Sequence, residues 1–285
     1  MISWDDTLAC IKCGLGHEHP KVSIVHLVYD FGKQAFISTL LKSVNSIRAT
    51  APADSDIIIV ANGVSQALDA ALKNIEQSDK RVTVISMRRN LGCVAKNFGY
   101  NLAQGDYICS VDGDVIAEPG WVEKFTTALE KDPTVGLVGP CGVRMNADIW
   151  TAERWGGPNL PGYGFGYEDI EFFGAQTASG KDGVLLDSIP SMCWCFRRVC
   201  LAKIGYLDWR FGPLVGSDAD YCFRVKAAGW KLQIVRVPIH HVDGGGGNQR
   251  AKDPSVVSLR IEHTRRLYDE WYPQRERTLY SFLGW

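Results

Sequence analysis

No apolar run in this chain is long enough to cross a bilayer. Net charge is almost absent: 31 Lys and Arg stand against 32 Asp and Glu, a formal balance of −1. That excludes a nucleic-acid binder working through bulk electrostatics. It leaves room for a local anionic ligand held through a metal. The opening "MISWDDTLAC" lacks the basic and apolar regions of a signal peptide. The nine cysteines are scattered and odd in number. They fit reduced thiols better than a secreted disulfide framework. These absences predict a cytoplasmic protein. There is no internal repeat, and "GGGG" at 244–247 is the only low-complexity patch, expected as a flexible loop.

What is present suits a folded domain: 285 residues, 46% hydrophobic and 22% charged. From Lys21 onward, apolar runs alternate with amphipathic stretches. "VSIVHLVY" reads as a strand. "KQAFISTLLKSVNSIRA" reads as a helix with Phe36, Leu40, Leu41, Val44 and Ile47 at helical spacing. "DIIIV", "RVTVIS" and "DYICSV" read as buried strands. Residues 65–77 and "VAKNFGYNLAQG" read as helices, the second stopping at Gly105. Such alternation predicts a parallel sheet with helices on both faces. Ligands of such sheets bind beyond the carboxyl ends of the strands. Tyr29-Asp30, Asn62-Gly63 and Asp112 to Asp114 all fall there.

Later, "EPGWVEKFTTALEKDP" predicts a helix with Pro119 near its first turn, followed by a strand, "TVGLVGP". "RRVCLAKIG" and "DADYCFRVKAAGW" predict short helices, and "KLQIVRVPIHH" predicts a strand. Residues 254–285 predict one or two helices. This tail has charge and aromatic content compatible with a membrane surface or partner chain, but its near-balanced charge favours packing on the domain.

Four clusters hold chemistry-bearing side chains. Asp112 and Asp114 flank Gly113 after a buried strand. They read as a solvated turn or as hard oxygen ligands for Mg²⁺ or Mn²⁺. Asp218 and Asp220 precede an amphipathic helix, as capping carboxylates or with one as general base. His240 and His241 end a strand beside glycines, as structural histidines or metal ligands. Cys10, Cys13, His17 and His19 have zinc-like ligand types at a spacing tighter than a zinc finger uses; an ordinary N-terminal arm is the alternative. The segment "WTAERWGGPNLPGYGFGYEDIEFF" reads as an acceptor-site border or as a loop packed by its own aromatics. Trp194 reads as acceptor-facing or buried.

In this order, the motifs resemble the inverting glycosyltransferases of family two, with the GT-A fold. The resemblance runs from about Val22 to about Asn248 and is most specific over "NLGCVAKNFGYNLAQGDYICSVDGDVIAEPGWVEKF". It implies an α/β Rossmann-like sheet, mostly parallel, with a C-terminal helical extension. The implied organisation is an arm (1–20), one transferase domain (21–248) and the extension (249–285). Residues 21–118 would form the nucleotide half and 119–248 the acceptor half. It implies Asp218 as catalytic base, Asp114 as metal ligand, and Asp112 on the ribose or metal. His241, or else His240, would complete the metal shell. Tyr29, Asp30, Asn62, Asn90, Lys96, Asp112 and Gly113 would line the nucleotide, with Asp220 and Trp194 on the acceptor side. The implied partners are Mn²⁺ or Mg²⁺, a nucleoside diphosphate sugar, and a glycan or lipid-linked glycan. A sugar nucleotidyltransferase and a non-catalytic carbohydrate-binding protein are the alternatives. Three positions depart from the family: Ser217 replaces a glutamate, Ala61 an aspartate, and Lys96 a frequent arginine. The last two open guanosine and deoxythymidine donors beside uridine.

Overall fold

The computed structural model describes residues 8–10, 20–30, 32–145, 170–173, 183, 185–212, 216–242, 259, 262–263, 266–267 and 269–271. Residues of the N-terminal arm form an edge strand, β1 (Leu8–Cys10). Next come β2 (Val22–Val28), α1 (Gln34–Thr50), β3 (Asp56–Asn62), α2 (Gln66–Ser78) and β4 (Val82–Met87). Every residue of β2, β3 and β4 is buried, as expected for strands covered on both faces. α1 buries Leu40, Ser43, Val44 and Ile47 along one stripe. α2 starts at Ser65, whose hydroxyl accepts the Leu68 N–H at 3.4 Å.

A 3₁₀ turn, Gly92–Ala95, leads into α3 (Lys96–Leu102). This helix ends at Ala103, before Gly105. Gly105 serves a different need: a Cβ there would stand 2.5 Å from the Ser23 nitrogen. β5 (Tyr107–Asp112) and β6 (Val115–Ala117) follow, then α4 (Trp121–Lys131). α4 begins after Gly120, with φ 91°, so Pro119 lies before the helix and not in its first turn.

The remaining elements are β7 (Val135–Gly139), β8 (Gly142–Met145), β9 (Ile170–Phe173), β10 (Leu185–Leu186), β11 (Cys193–Arg197), α5 (Arg198–Ile204), α6 (Ser217–Ala227), β12 (Lys231–Ile234) and β13 (Ile239–His241). "KLQIVRVPIHH" is thus two strands in two sheets. Pro238 precedes the second and has no N–H to continue a ladder.

The main sheet has the order β1-β4-β3-β2-β5-β11-β7-β12-β10. β4, β3, β2 and β5 are mutually parallel, as are β7 and β12. β11 runs antiparallel between β5 and β7. One face packs Leu40, Val44 and Ile47 of α1, Leu68 and Leu72 of α2, and Trp121 and Phe125 of α4. The other packs Phe98 and Tyr100 of α3, Cys200 of α5, and Tyr221 and Val225 of α6. The winding direction reverses between β2 and β5. At such a point the connections leave to opposite sides and open a crevice at the carboxyl ends.

Candidate active site

β2 and β5 meet in register with Leu27 opposite Asp112. Beyond them lie Tyr29 and Asp30 on one strand end and Gly113 and Asp114 on the other. Asp30 is buried. Its Oδ1 accepts the Gly32 N–H and its Oδ2 the Ser65 N–H, both at 3.0 Å. Burial raises its carboxyl, but these bonds outweigh it and hold the group below its ordinary value.

Asn62 ends β3. Its side-chain N–H₂ donates to Asn90 Oδ1 at 2.7 Å and to the Gly92 carbonyl at 3.2 Å. Its Oδ1 accepts the Leu91 N–H at 2.9 Å, and Asn90 Oδ1 also accepts the Gly92 N–H at 2.8 Å. The two amides organise the 90–92 loop. The donors of Asn62 are spent there, which does not fit the predicted nucleotide contact.

Lys96 is fully buried. Its Nζ donates to the Ser191 carbonyl at 2.5 Å and pairs with Asp112 Oδ1 at 2.7 Å. Burial alone depresses the ammonium, but the Asp112 carboxylate outweighs it and holds Lys96 protonated. Burial in turn raises Asp112, and the charge of Asp114 adds to this, against Lys96 and His241. The contact is a close ion pair. Two expectations change here. Lys96 is committed to Asp112 beneath the crevice and not to a nucleotide. Asp112 commits its Oδ1 to Lys96. Gly113 changes role too: a Cβ there would lie 2.7 Å from Leu40 Cδ2 and 3.1 Å from the Leu27 carbonyl. The glycine lets the loop close against α1.

β13 pairs antiparallel with β6, His241 opposite Val115 and His240 opposite Ile116. The Val242 N–H donates to the Asp114 carbonyl at 2.8 Å. Adjacent strand residues face opposite ways. His241 Nε2 therefore comes within 3.4 Å of Asp114 Oδ1, while His240 Nε2 meets Glu118 Oε1 at 2.7 Å. The register selects His241 over His240 as the partner of Asp114. Among the described residues no three His, Cys, Asp or Glu side chains stand together as a metal cage. A carboxylate and an imidazole fit a cation that takes its other ligands from phosphates and water.

Asp218 sits half-buried in the first turn of α6, its Oδ1 accepting the Ala219 N–H at 2.9 Å. The N-cap itself is Gly216, with φ 102°. The Cys93 thiol is pushed up to about 12 by burial first, then by Asp112 and Asp218, against Lys96. One thiol thus stands within electrostatic reach of both acids.

The two predicted acceptor residues lie elsewhere. Trp194 is fully buried, with its Nε1 donating to Tyr100 Oη at 3.3 Å. β11 carries it into the core, where an acceptor has no access. Asp220 is buried and accepts from Arg224 Nε and Nη2 at 2.9 and 2.7 Å and from Trp271 Nε1 at 3.1 Å. It anchors the C-terminal helix. Cys13, His17, His19, and the aromatic segment before Ile170, lie outside the described residues.

Sequence reasoning missed Asn97, whose amide clamps Leu207 from both sides: Oδ1 accepts its N–H at 2.9 Å, and Nδ2 donates to its carbonyl at 2.7 Å. Nothing in the local pattern marks it. It also missed His26 and Ser43, although a polar residue within each apolar stripe was a visible signal.

The comparisons with known proteins bear on the family and the fold. A glycosyltransferase of Haemophilus influenzae whose function is uncharacterised is 29% identical over 151 residues, 50% of this chain and 45% of that protein. The glucosyl-dolichyl phosphate glucuronosyltransferase of Haloferax volcanii is 25% identical over 173 residues, 59% of this chain and 54% of that protein. The chain thus spans about half the length of these curated relatives. The crystal structure of GalNAc-T7 with UDP, GalNAc and Mn²⁺ superposes with a TM-score of 0.66 at 16% identity, over 90% of this chain and 50% of that one. That likeness supports the fold. The model of the glycosyl transferase family 2 matches residues 28–200, which run from the end of β2 to the first turn of α5 and include both acids that flank Gly113. With more than half of the sequence matched, the chain belongs to glycosyl transferase family 2.

Proposed function

We propose that this chain moves a sugar from a nucleoside diphosphate sugar to an acceptor hydroxyl, with inversion at the anomeric carbon and with dependence on Mn²⁺ or Mg²⁺. The single observation that carries this is the meeting of Asp114 with His241 at 3.4 Å, made by two strands far apart in sequence. A divalent cation bound there supplies positive charge for the departing diphosphate. Asp114 and His241 are the residues that would hold it. Lys96 keeps Asp112 in place beneath them. Asp218, on the far half of the sheet, is the group free to take the proton of the acceptor hydroxyl. A base opposite the leaving group gives attack from the opposite face, hence inversion.

The GalNAc-T7 structure contains UDP and Mn²⁺, which supports a nucleotide donor and a cation. The Haloferax relative is named for a lipid-linked acceptor, which supports a glycan or lipid-linked glycan here. Ala61 is fully buried and carries no polar group, so the nucleobase stays open among uridine, guanosine and deoxythymidine. Asp218→Asn should retain donor binding and lose transfer by roughly a hundredfold or more. Product anomers read by NMR should be inverted. Unchanged turnover in Asp218→Asn removes that residue from the mechanism, and a retained anomer removes the single-displacement step.

A further inference from the structure

His26 lies on β2 between Ile24 and Val28, and those two neighbours pack in the apolar cluster under α1. It is fully buried. An apolar side chain is the default for such a place, because a buried polar group costs free energy unless it is bonded. The His26 Nε2 lies 3.1 Å from Ser43 Oγ, and Ser43 is fully buried on α1. Ser43 Oγ donates its own proton to the Val115 carbonyl at 2.5 Å. The hydroxyl oxygen is therefore left to accept from His26 Nε2–H. One turn on, Ser46 Oγ accepts the Ala117 N–H at 3.0 Å and donates to the Ser43 carbonyl at 2.7 Å.

These bonds bear on β6. That strand is not part of the main sheet; it belongs to a two-stranded sheet with β13. One edge of β6 is taken by β13. The backbone groups of Val115 and Ala117 on its other side are taken by the two serines of α1. Asp114 immediately precedes β6, and His241 rides on its partner strand. Any shift of β6 against the main sheet moves both.

We propose that His26, Ser43 and Ser46 are positioning residues. They form a buried polar strut from β2 through α1 that fixes β6, and with it the approach of Asp114 to His241. This inference rests on the reading of those two side chains as cation ligands. Burial supports it by holding His26 at about 4, so that the ring is neutral and offers one N–H at neutral pH. Supporting groups of this kind set metal affinity by orienting the ligands they touch. Ser43→Ala leaves the Val115 carbonyl without its donor. Ser43→Thr keeps the hydroxyl.

The test is titration with Mn²⁺ alone, read by loss of the free-ion EPR signal. Wild type and Ser43→Thr should bind. Ser43→Ala should bind about tenfold more weakly. Leu72→Ala, a core change on α2 away from β6, should leave affinity unmoved. If Ser43→Ala fails to fold, His26→Leu carries the same measurement. Equal binding by wild type and Ser43→Ala overturns the strut while the cation reading stands. Equal loss in Leu72→Ala also overturns it, because general softening would then explain the effect. No binding by wild type overturns the cation reading, and the strut falls with it.

Discussion

Lys96 is an ammonium with no access to solvent, held between a carboxylate and the Ser191 carbonyl. Its worth lies less in attraction than in what its removal leaves behind. Without it, Asp112 becomes a half-buried charge with no ammonium beside it, next to Asp114. Breaking one partner of a fully buried pair typically costs about 3–5 kcal/mol, and the partial exposure of Asp112 lowers this to about 1–3 kcal/mol. Lys96→Met should lose stability of that order in urea unfolding. Asp112→Asn in the same background should recover part of the loss, since the stranded charge is gone. A loss below about 1 kcal/mol in the single variant would mean that solvent screens Asp112 as fully as a surface charge. The sequence marks Lys96 as a site residue but not its target. That target depends on residues 191–192, which reach the end of β5 through the Asp112 N–H to Met192 carbonyl bond at 2.8 Å. No local pattern near Lys96 announces a contact so distant along the chain.

At the scale of elements, the C-terminal helix explains why α6 carries two acids in its first turn. Asp218 stays half-buried, with its Oδ1 on the Ala219 N–H. Asp220, one face away, is buried against the tail. Phe223 meets Trp271 edge-on with centroids 5.7 Å apart, and Phe211 meets His263 at the same separation. Glu270 pairs with Arg210. Burial raises the Asp220 carboxyl, with Arg224 and Trp271 pulling against it. Trp271→Phe keeps an aromatic ring on Phe223 but deletes the N–H that meets Asp220. The expected cost is about 1–3 kcal/mol, with faster amide exchange in the tail and the first turn of α6. Exchange that is unchanged in both would show that Arg224 alone satisfies the acid. The pairing of tail with domain was legible from balanced charge and aromatics. The division of labour between Asp218 and Asp220 was not, because it turns on which helix face the tail covers. β11 escaped for a related reason. "CWCFR" has neither alternation nor length to announce a strand, and its antiparallel direction breaks the strand-helix rhythm that made β2 to β5 readable.

Over the whole molecule, the candidate site draws on both halves of the sequence. Asp30, Asp112 and Asp114 come from the parallel half that was read directly from sequence. Asp218 and His241 arrive from the later half, where only the order of motifs pointed to them. Ligand binding should therefore stabilise the fold as a unit. A ligand at a hundred times its Kd adds about 2.7 kcal/mol. For a domain of this size that is a rise of several degrees in Tm, at roughly 2–4 °C per kcal/mol. UDP, GDP and dTDP, tested in turn with Mn²⁺, should show this rise for at least one nucleotide. EDTA should abolish it, because the diphosphate then faces Asp114 and Asp112 with no cation between. The ligand-free Tm should not change with EDTA, since Lys96 already balances Asp112 and the serines of α1 already hold β6. A drop in the ligand-free Tm would make the ion a structural component. An equal rise with and without EDTA would remove the cation from donor binding, and Asp114 with it.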